Sequence, residues 1–417
     1  MLRDQPGFGR FWAAFTVSEF GTSVTTLALQ VLVVVTLEGS ATDVGLVNSA
    51  RWLPYLVLGL VAGVMADRLR RRPILVTTDL GRAVLLGAIP LLAWLDRLTI
   101  PVLLAFMLGF GLMSLMNDAA HQSFLPRLVP RNLLTPANAR LQQSASAAAT
   151  SGPVVGGGLI SWLGAPLAVL VDAASYLVSG VLTATIRAAD PKPVPDRSNP
   201  PSVLREAKEG LAWVYRHRML MPLALTTHGW FLFSSMLGTI YVPFLLLKLG
   251  LSPLGVGVSF GLAGVGGLLG SGLSTRIAVR RGIAPTIAGS RLIEAAGFAL
   301  IALAPAITGG AAEWPTWAFV GAGQFLFGFG MGAEGPVEMS YRQSVTPDRL
   351  QGRMNSTMRS LNRAFIVVGA PIGGLLADTL GYRPALWIGV TGLALAAVIL
   401  ARSPVRHARA EDEAPSM

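Results

Sequence analysis

Apolar runs of about 20 residues, the length a helix needs to cross roughly 30 Å of hydrocarbon, recur from one end of this chain to the other. No other feature restricts the fold so severely. Inside a bilayer every backbone amide must find its partner within the chain, and runs of this length do so as helices. Twelve spans are expected, at about 11–37, 45–66, 73–94, 99–119, 139–163, 167–186, 220–247, 254–274, 283–305, 315–339, 355–380 and 384–401. The charge content agrees: 13% of the 417 residues are charged, against roughly 25% in an ordinary soluble chain. The first run is too long for a secretory signal core and lacks a small-residue cleavage pattern, so it reads as a retained span. The chain has no cysteine, which excludes disulfides and thiolate metal sites. No metal and no cofactor is expected.

Arginine and lysine orient the spans. One set of loops carries Arg68, Arg70, Arg71 and Arg72, then Arg127, Arg131 and Arg140, the 187–218 segment, Arg276, Arg280 and Arg281, and Arg342, Arg349 and Arg353. The opposite loops hold little beyond Arg97, Lys248 and Arg383. The positive-inside rule puts the first set in the cytoplasm together with both termini. The net charge of +11 is thus distributed by topology. No stretch interleaves basic and aromatic residues on a soluble domain, so no nucleic-acid partner is expected.

The polar segment between the sixth and seventh runs divides the chain. A first six-helix bundle is expected over 1–190 and a second over 219–402, with a cytoplasmic linker at 191–218 and a disordered cytoplasmic tail at 403–417. The proline-rich start of the linker reads as a spacer, and "SVLREAKEGLAWVYRHR" (202–218) as an amphipathic surface helix. The halves repeat each other. Pro130 falls on Pro347, Asn138 on Asn355 and Gly156-Gly157 on Gly373-Gly374 at one offset, and Arg71-Arg72 on Arg280-Arg281 and Arg82 on Arg291 at a slightly shorter one. A repeated six-span unit is a plan of secondary transporters, with substrate near the midplane between the halves.

Two motifs stand out. "GVMADRLRRRPIL" (Gly63–Leu75) packs four arginines and an aspartate between two apolar runs, and "SGPVVGGGL" places Gly152, Pro153, Gly156 and Gly157 in the fifth. The first resembles the loop between spans two and three of the major facilitator superfamily, G-x-x-x-D-R-x-G-R-R/K, with Arg70 in place of the second glycine. The second is similar to the G-P-x-x-G-G motif of that superfamily's exporters, without its upstream glycines. "LPRLVP…PANA" and "TDLGR" further resemble the branch of drug and macrolide efflux and siderophore export. The resemblance implies an all-α membrane protein of twelve transmembrane helices in two pseudo-symmetric six-helix bundles, the major facilitator fold, in a bacterial-type inner membrane. It also implies a conformational latch in which Gly63, Asp67, Arg68, Arg71 and Arg72 work with Asp79, Arg82 and Asp118, the aspartate facing a helix N-terminus whose partial positive charge favours it. Positive charge enforcing topology is the simpler reading of the same cluster. For Gly152, Pro153, Gly156 and Gly157, a helix bend and close packing stand as alternatives.

Acids inside a membrane are costly and are functional suspects by default. Glu19, Glu294 and Glu334 lie within spans one, nine and ten, and are read as proton or substrate-coupling groups. His228 corresponds to Glu19 in the second half and joins that set, with a satisfied hydrogen-bonding role as the alternative. Glu338, Asp118 and Asp79, near arginines at the cytoplasmic face, read as structural ion pairs. As a group Phe15, Phe20, Trp230, Phe231, Phe233, Met236, Tyr241, Phe325, Phe327 and Phe329 are expected to wall a broad apolar pocket, with Phe20, Trp230, Phe233, Tyr241 and Phe325 the principal candidates; lipid-facing or core packing is the alternative for any single one. Few polar residues on those spans point to an amphipathic substrate over a sugar. Span four lacks the arginine that many proton antiporters of the superfamily carry in an R-x-x-x-G pattern.

These features predict a secondary transporter that exports a hydrophobic or amphipathic small molecule, such as a drug, antibiotic or siderophore-like compound, by proton-coupled alternating access. Its partners are the substrate, protons and membrane lipids, and it is expected to be a monomer. Lipid or lysolipid transport is the alternative. No histidine cluster, Ser-His-Asp set or phosphate-cradling G-x-x-x-x-G-K-[ST] is present, which argues against an enzyme and against an ATP-driven pump.

Overall fold

All regular structure among the described residues of the computed structural model, which are 2, 5–68, 70–187, 203–307 and 313–408, is helical. Only the backbone is described at 6, 60–68, 203, 204 and 407. In order the helices are α1 (Pro6–Val31), α2 (Ala41–Arg68), α3 (Arg71–Trp94), α4 (Ile100–Leu128), α5 (Leu134–Leu163), α6 (Ala165–Ala184), α7 (Val203–Arg216), α8 (Leu220–Pro243), α9 (Pro253–Arg281), α10 (Ile283–Leu303), α11 (Trp314–Ser344), α12 (Asp348–Leu380) and α13 (Tyr382–Arg402). Every expected span is a helix, and α7 occupies the expected amphipathic segment. Among the described residues nine helices are long and apolar enough to cross a membrane. The others of the expected twelve, α2, α5 and α11, carry polar residues such as Arg51, Gln142 and Glu334. Several helices outrun the apolar pattern; α4 continues to Leu128 because polar residues at its C-terminal end do not interrupt backbone hydrogen bonding.

The chain divides into two compact units, Met1–Gly39 with Ala50–Val203, and Ser40–Ser49 with Leu204–Met417. The first turns of α2 therefore belong with the second unit, for a local reason. The Asp378 carboxylate accepts the N–H groups of Ala41 (3.1 Å) and Thr42 (2.9 Å) and the Thr42 hydroxyl (2.6 Å), capping the helix start. Ser49 donates to the Val367 carbonyl at 2.8 Å, and Gly45 rests on the backbone of Ala370 and Pro371.

Each unit repeats one packing scheme. In the first, α1 packs on α5 and α6, and α3 on α4 and α6; in the second, α8 packs on α12 and α13, and α10 on α11 and α13. The repeat reaches single residues. Gly152 and Gly156 of α5 lie on Ser23 and Val24 of α1, and their counterparts Gly369 and Gly373 of α12 lie on Ser235 and Met236 of α8. This is close helix packing, and α5 runs unbroken through Pro153. Gly157 is buried on the same helix. The turns after α5 and α12 each need a residue with positive φ, met by Gly164 (83°) and Gly381 (93°). Both α1 and α8 end in a five-residue π turn, Leu32–Thr36 and Phe244–Lys248.

Helix α7 buries its apolar side on the second unit. Val214 packs with Ala224, Met354 and Met358, Glu209 pairs with Arg353, and Trp213 Nε1 donates to Thr346 at 3.3 Å. Residues 191–202 of the expected linker, with 188–190 before them, lie outside the described set. The tail expected at 403–417 starts in ordered structure: Pro404–His407 forms a 3-10 turn whose Val405 is fully buried against α8 and α10. One apolar side chain anchors it, and residues 409–417 lie outside the described set.

Candidate functional site

The first unit encloses a cavity of about 340 Å³. Helix α1 lines it with Phe11, Phe15, Ser18, Glu19 and Thr22, a spacing that puts aromatic and polar groups on one helical face. Helix α2 adds Arg51, Trp52 and Tyr55, α3 adds Asp79 and Arg82, α4 adds Asn117, Asp118 and His121, and α6 adds Tyr176 and Ser179.

Part of this lining is self-neutralised. Asp79 and Arg82, one turn apart on α3, form an ion pair. Asp79 also accepts from Asn117 Nδ2 (3.1 Å) and Ser179 Oγ (2.7 Å). The Arg82 guanidinium lies 4.1 Å from the Tyr176 ring centroid, a cation–π distance, and the Tyr176 hydroxyl meets Thr22 Oγ1 at 2.7 Å. The His121 ring stacks on Phe11 with centroids 4.3 Å apart.

The remaining charges are open. Among the described residues no hydrogen bond or ion pair engages the Glu19 carboxylate. Asp118 accepts the Tyr55 hydroxyl at 2.8 Å and forms no ion pair with a described arginine. Arg51 donates to Thr26 Oγ1 at 3.3 Å and stands over the rings of Phe110 (5.3 Å) and Trp52 (5.7 Å). The cavity thus offers two carboxylates, one guanidinium and aromatic walls to a molecule that is both charged and apolar. Its polar character exceeds what spans one, seven and ten suggested, because α2, α3, α4 and α6 supply most of it.

In the second unit the counterpart of Arg82 is sealed. Arg291 is fully buried; its Nε meets Glu334 at 3.1 Å and its Nη2 meets Glu338 at 3.3 Å and Thr227 at 2.8 Å. Arg342 closes the group on Glu338 at 3.2 Å. Two arginines and two glutamates cancel, so Glu334 joins Glu338 as an ion-pair member. Glu294 accepts from Trp230 Nε1 and packs against Gly330.

His228 is committed on both nitrogens, to Asn362 Oδ1 and to the Tyr215 hydroxyl, each at 2.7 Å. With Asn362 accepting, Nδ1 carries the proton and Nε2 accepts from Tyr215. Its ring is stacked on Phe365, interplanar angle 4°. The role beside Glu19 expected for it is therefore replaced by a packed, hydrogen-bonded one that ties α7 and α12 to α8. Tyr241 is likewise no cavity wall: it is fully buried and its hydroxyl meets Ser259 at 2.6 Å. Phe233 packs on Gly392 of α13, and the backbone of Phe325 on Gly266 of α9. Phe20 and Phe325 are half-buried, and neither lines the first unit's cavity. Tyr241 is drawn into helix packing because a bulky ring gains most from full burial, whereas Phe20, Phe233 and Phe325 stay half-buried.

Of the expected latch, the side chains of Gly63, Asp67 and Arg68 lie outside the described set. Arg72 donates to the Ala184 carbonyl and Arg10 to that of Thr185 at 2.7 Å, so two guanidinium groups cap the end of α6, where the helix dipole is negative. Arg71 is buried, with Nε and Nη1 unpartnered among the described residues. Sequence reasoning passed over Arg51 and Asp172. Each is a charged residue isolated in an apolar run, and that isolation was the available signal.

The sequence model of the transmembrane secretion effector family matches residues 2–417 of this chain. The multidrug efflux pump Tap of Mycolicibacterium fortuitum is 29% identical over 377 residues, covering 86% of this chain and 88% of Tap. YfiS of Bacillus subtilis, an uncharacterised MFS-type transporter, is 28% identical over 408 residues, covering 94% and 89%. The crystal structure of a bacterial homologue of the iron transporter ferroportin superposes with a TM-score of 0.76 at 16% identity, over 95% of this chain and 98% of the other, which shows the shared fold. The chain, with its repeated bundles and charged cavity, is a membrane transporter, not an enzyme, and belongs to the transmembrane secretion effector family of the major facilitator superfamily.

Proposed function

We propose that this protein exports an amphipathic small molecule across the bacterial inner membrane by proton-coupled alternating access, as a monomer with both termini in the cytoplasm. The observation that carries the reading is the cavity of the first unit, where Glu19 stands without a described partner among aromatic side chains. A carboxylate in that position can be neutralised either by a proton or by the charged end of a substrate, and competition between the two couples their movements. Multidrug efflux by the similar pump Tap supports the direction and the substrate class. Asp67, Arg68, Arg71 and Arg72 are proposed to latch the inner side of the transporter, with membrane lipid surrounding the apolar helix faces.

The test is uptake of an amphipathic cationic dye such as ethidium into inverted vesicles with the interior acidified. Glu19→Gln should abolish gradient-driven uptake while the protein still purifies as a single species. Undiminished uptake by that variant refutes the coupling assignment, and absence of uptake by the wild-type protein for every amphipathic compound screened refutes export of this class.

A further inference from the structure

One carboxyl of the first unit is used neither by the cavity nor by any ion pair. Asp172 on α6 is fully buried in a membrane helix. Its Oδ1 accepts from Ser175 Oγ at 2.8 Å, and its Oδ2 has no hydrogen-bond partner among the described residues. Across the contact with α1 stands Thr25, also fully buried, whose hydroxyl faces the carboxyl without reaching hydrogen-bond geometry. The space is built in: Gly21 of α1 lies where any side chain would overlap the Asp172 carboxylate and the Ser175 hydroxyl. An ionised carboxylate so placed, with no partner on one oxygen, is strongly penalised; a proton on Oδ2 removes the charge and supplies a donor that Thr25 can accept.

The position relative to the cavity gives this group a route. Thr22 and Tyr176, which line the cavity and share a 2.7 Å hydrogen bond, stand one helical turn from Thr25 on α1 and from Asp172 on α6. Along α1 and α6 the cavity lining stops at that hydroxyl pair, and Thr25 and Asp172 lie one turn beyond it. We propose that Asp172, with Thr25 facing it, forms a sealed proton-binding site of the first unit, loaded and unloaded through the Thr22–Tyr176 hydroxyl pair. In loading, an O–H bond forms at Asp172 Oδ2 as one breaks on a relay hydroxyl, which takes its replacement proton from water in the cavity; unloading reverses both steps. Glu19 then exchanges protons with substrate in the open cavity, and Asp172 holds a second proton out of the substrate's reach.

The surroundings are compatible with a single titrating group. Arg82 on α3 and Arg51 on α2 act on Asp172 at a distance, and neither forms an ion pair with it. Asp79 is occupied by Arg82, Asn117 and Ser179. On α1 the nearest acid along the helix is Glu19, and α5 brings only Arg140, which stands over Trp12 at 6.0 Å.

This inference rests on proton-coupled transport, and the experiment separates the two. Full-length protein in proteoliposomes is given ethidium in two formats, equilibrium counterflow and accumulation against an imposed pH gradient. Asp172→Asn, which keeps the shape and the Ser175 bond, should retain counterflow and lose accumulation. Gradient-driven accumulation by that variant overturns the Asp172 site while leaving the transport reading intact. A wild-type protein with counterflow but no response to the pH gradient, or one driven by a sodium gradient instead, overturns the proton assignment itself. Should Asp172→Asn not fold, the infrared C=O stretch of a protonated buried carboxyl decides: Thr25→Val should shift that band, and an unshifted or absent band refutes the site.

Discussion

Replacing Arg291 with methionine removes one charge from a buried group of four. In the native protein its guanidinium reaches Glu334 at 3.1 Å, Glu338 at 3.3 Å and Thr227 at 2.8 Å, and Arg342 reaches Glu338 at 3.2 Å. The group is neutral as a whole. After the substitution Glu338 keeps Arg342, but Glu334 is left without a cation. Breaking a buried ion pair on one side costs about 3–5 kcal/mol, most of it the penalty of the stranded charge. With roughly 2–4 °C per kcal/mol for a unit of this size, the unfolding midpoint should fall by roughly 6–20 °C. The assay is intrinsic-fluorescence thermal unfolding in detergent. The double variant Arg291→Met, Glu334→Gln strands no charge and should recover most of the loss, since replacing both partners of a buried pair is often close to neutral. If the single variant unfolds at the wild-type temperature, or the double variant is no better than the single, the four residues do not act as a balanced network and the reasoning is refuted.

Two further outcomes follow from packing and from the loop before α8. Gly328→Ala puts a methyl group into the Ala263 carbonyl at the α9–α11 contact and should cost at least about 1–3 kcal/mol by overpacking; Gly272→Ala, which meets nothing within 4 Å, is the control, and equal thermal stability of the two rejects the tight contact. His217 Nδ1 accepts the N–H groups of Met219 and Leu220, each at 3.2 Å, and burial lowers its pKa from 6.5. Between the folded and unfolded values the unfolded chain binds more protons, so this contribution is complete above about 6.5 and is lost as pH falls through the lower folded value. His217→Ala should therefore remove about 1 kcal/mol of helix capping at pH 7.5 and nothing at low pH, and a wild-type-minus-variant difference that is constant between pH 7.5 and 4.5 would count against the cap.

Run length and spacing alone specified the helices, their number and the repeat. Lipid allows an isolated backbone no other way to satisfy its amides, so each apolar run of spanning length became a helix, and Gly152 and Gly156 could be matched to Gly369 and Gly373 by position alone. The sequence also marked Glu19, Glu294 and Glu334 as charges in costly places and matched Arg82 to Arg291. What it left undecided was which charges cancel, because cancellation depends on distances between helices far apart in the chain. Arg82 and Arg291 occupy equivalent positions in the repeat, yet one lines an open cavity and the other is sealed by Glu334 and Glu338 from α11. Equivalent α4 positions carry Asn117 and His121, which cannot neutralise an arginine, so Asp79 on the same helix does so. Tyr241 and His228 show the same limit: each sits on an apolar helix and reads as a cavity residue, until Ser259, Asn362 and Tyr215 arrive from other helices to take up its polar atoms. Asp172 is visible in the sequence as a charge isolated in an apolar run, but that its second oxygen has no partner among the described residues is a property of the α1–α6 contact. Burial and pairing are properties of the assembled bundle, and only the tertiary structure could decide them.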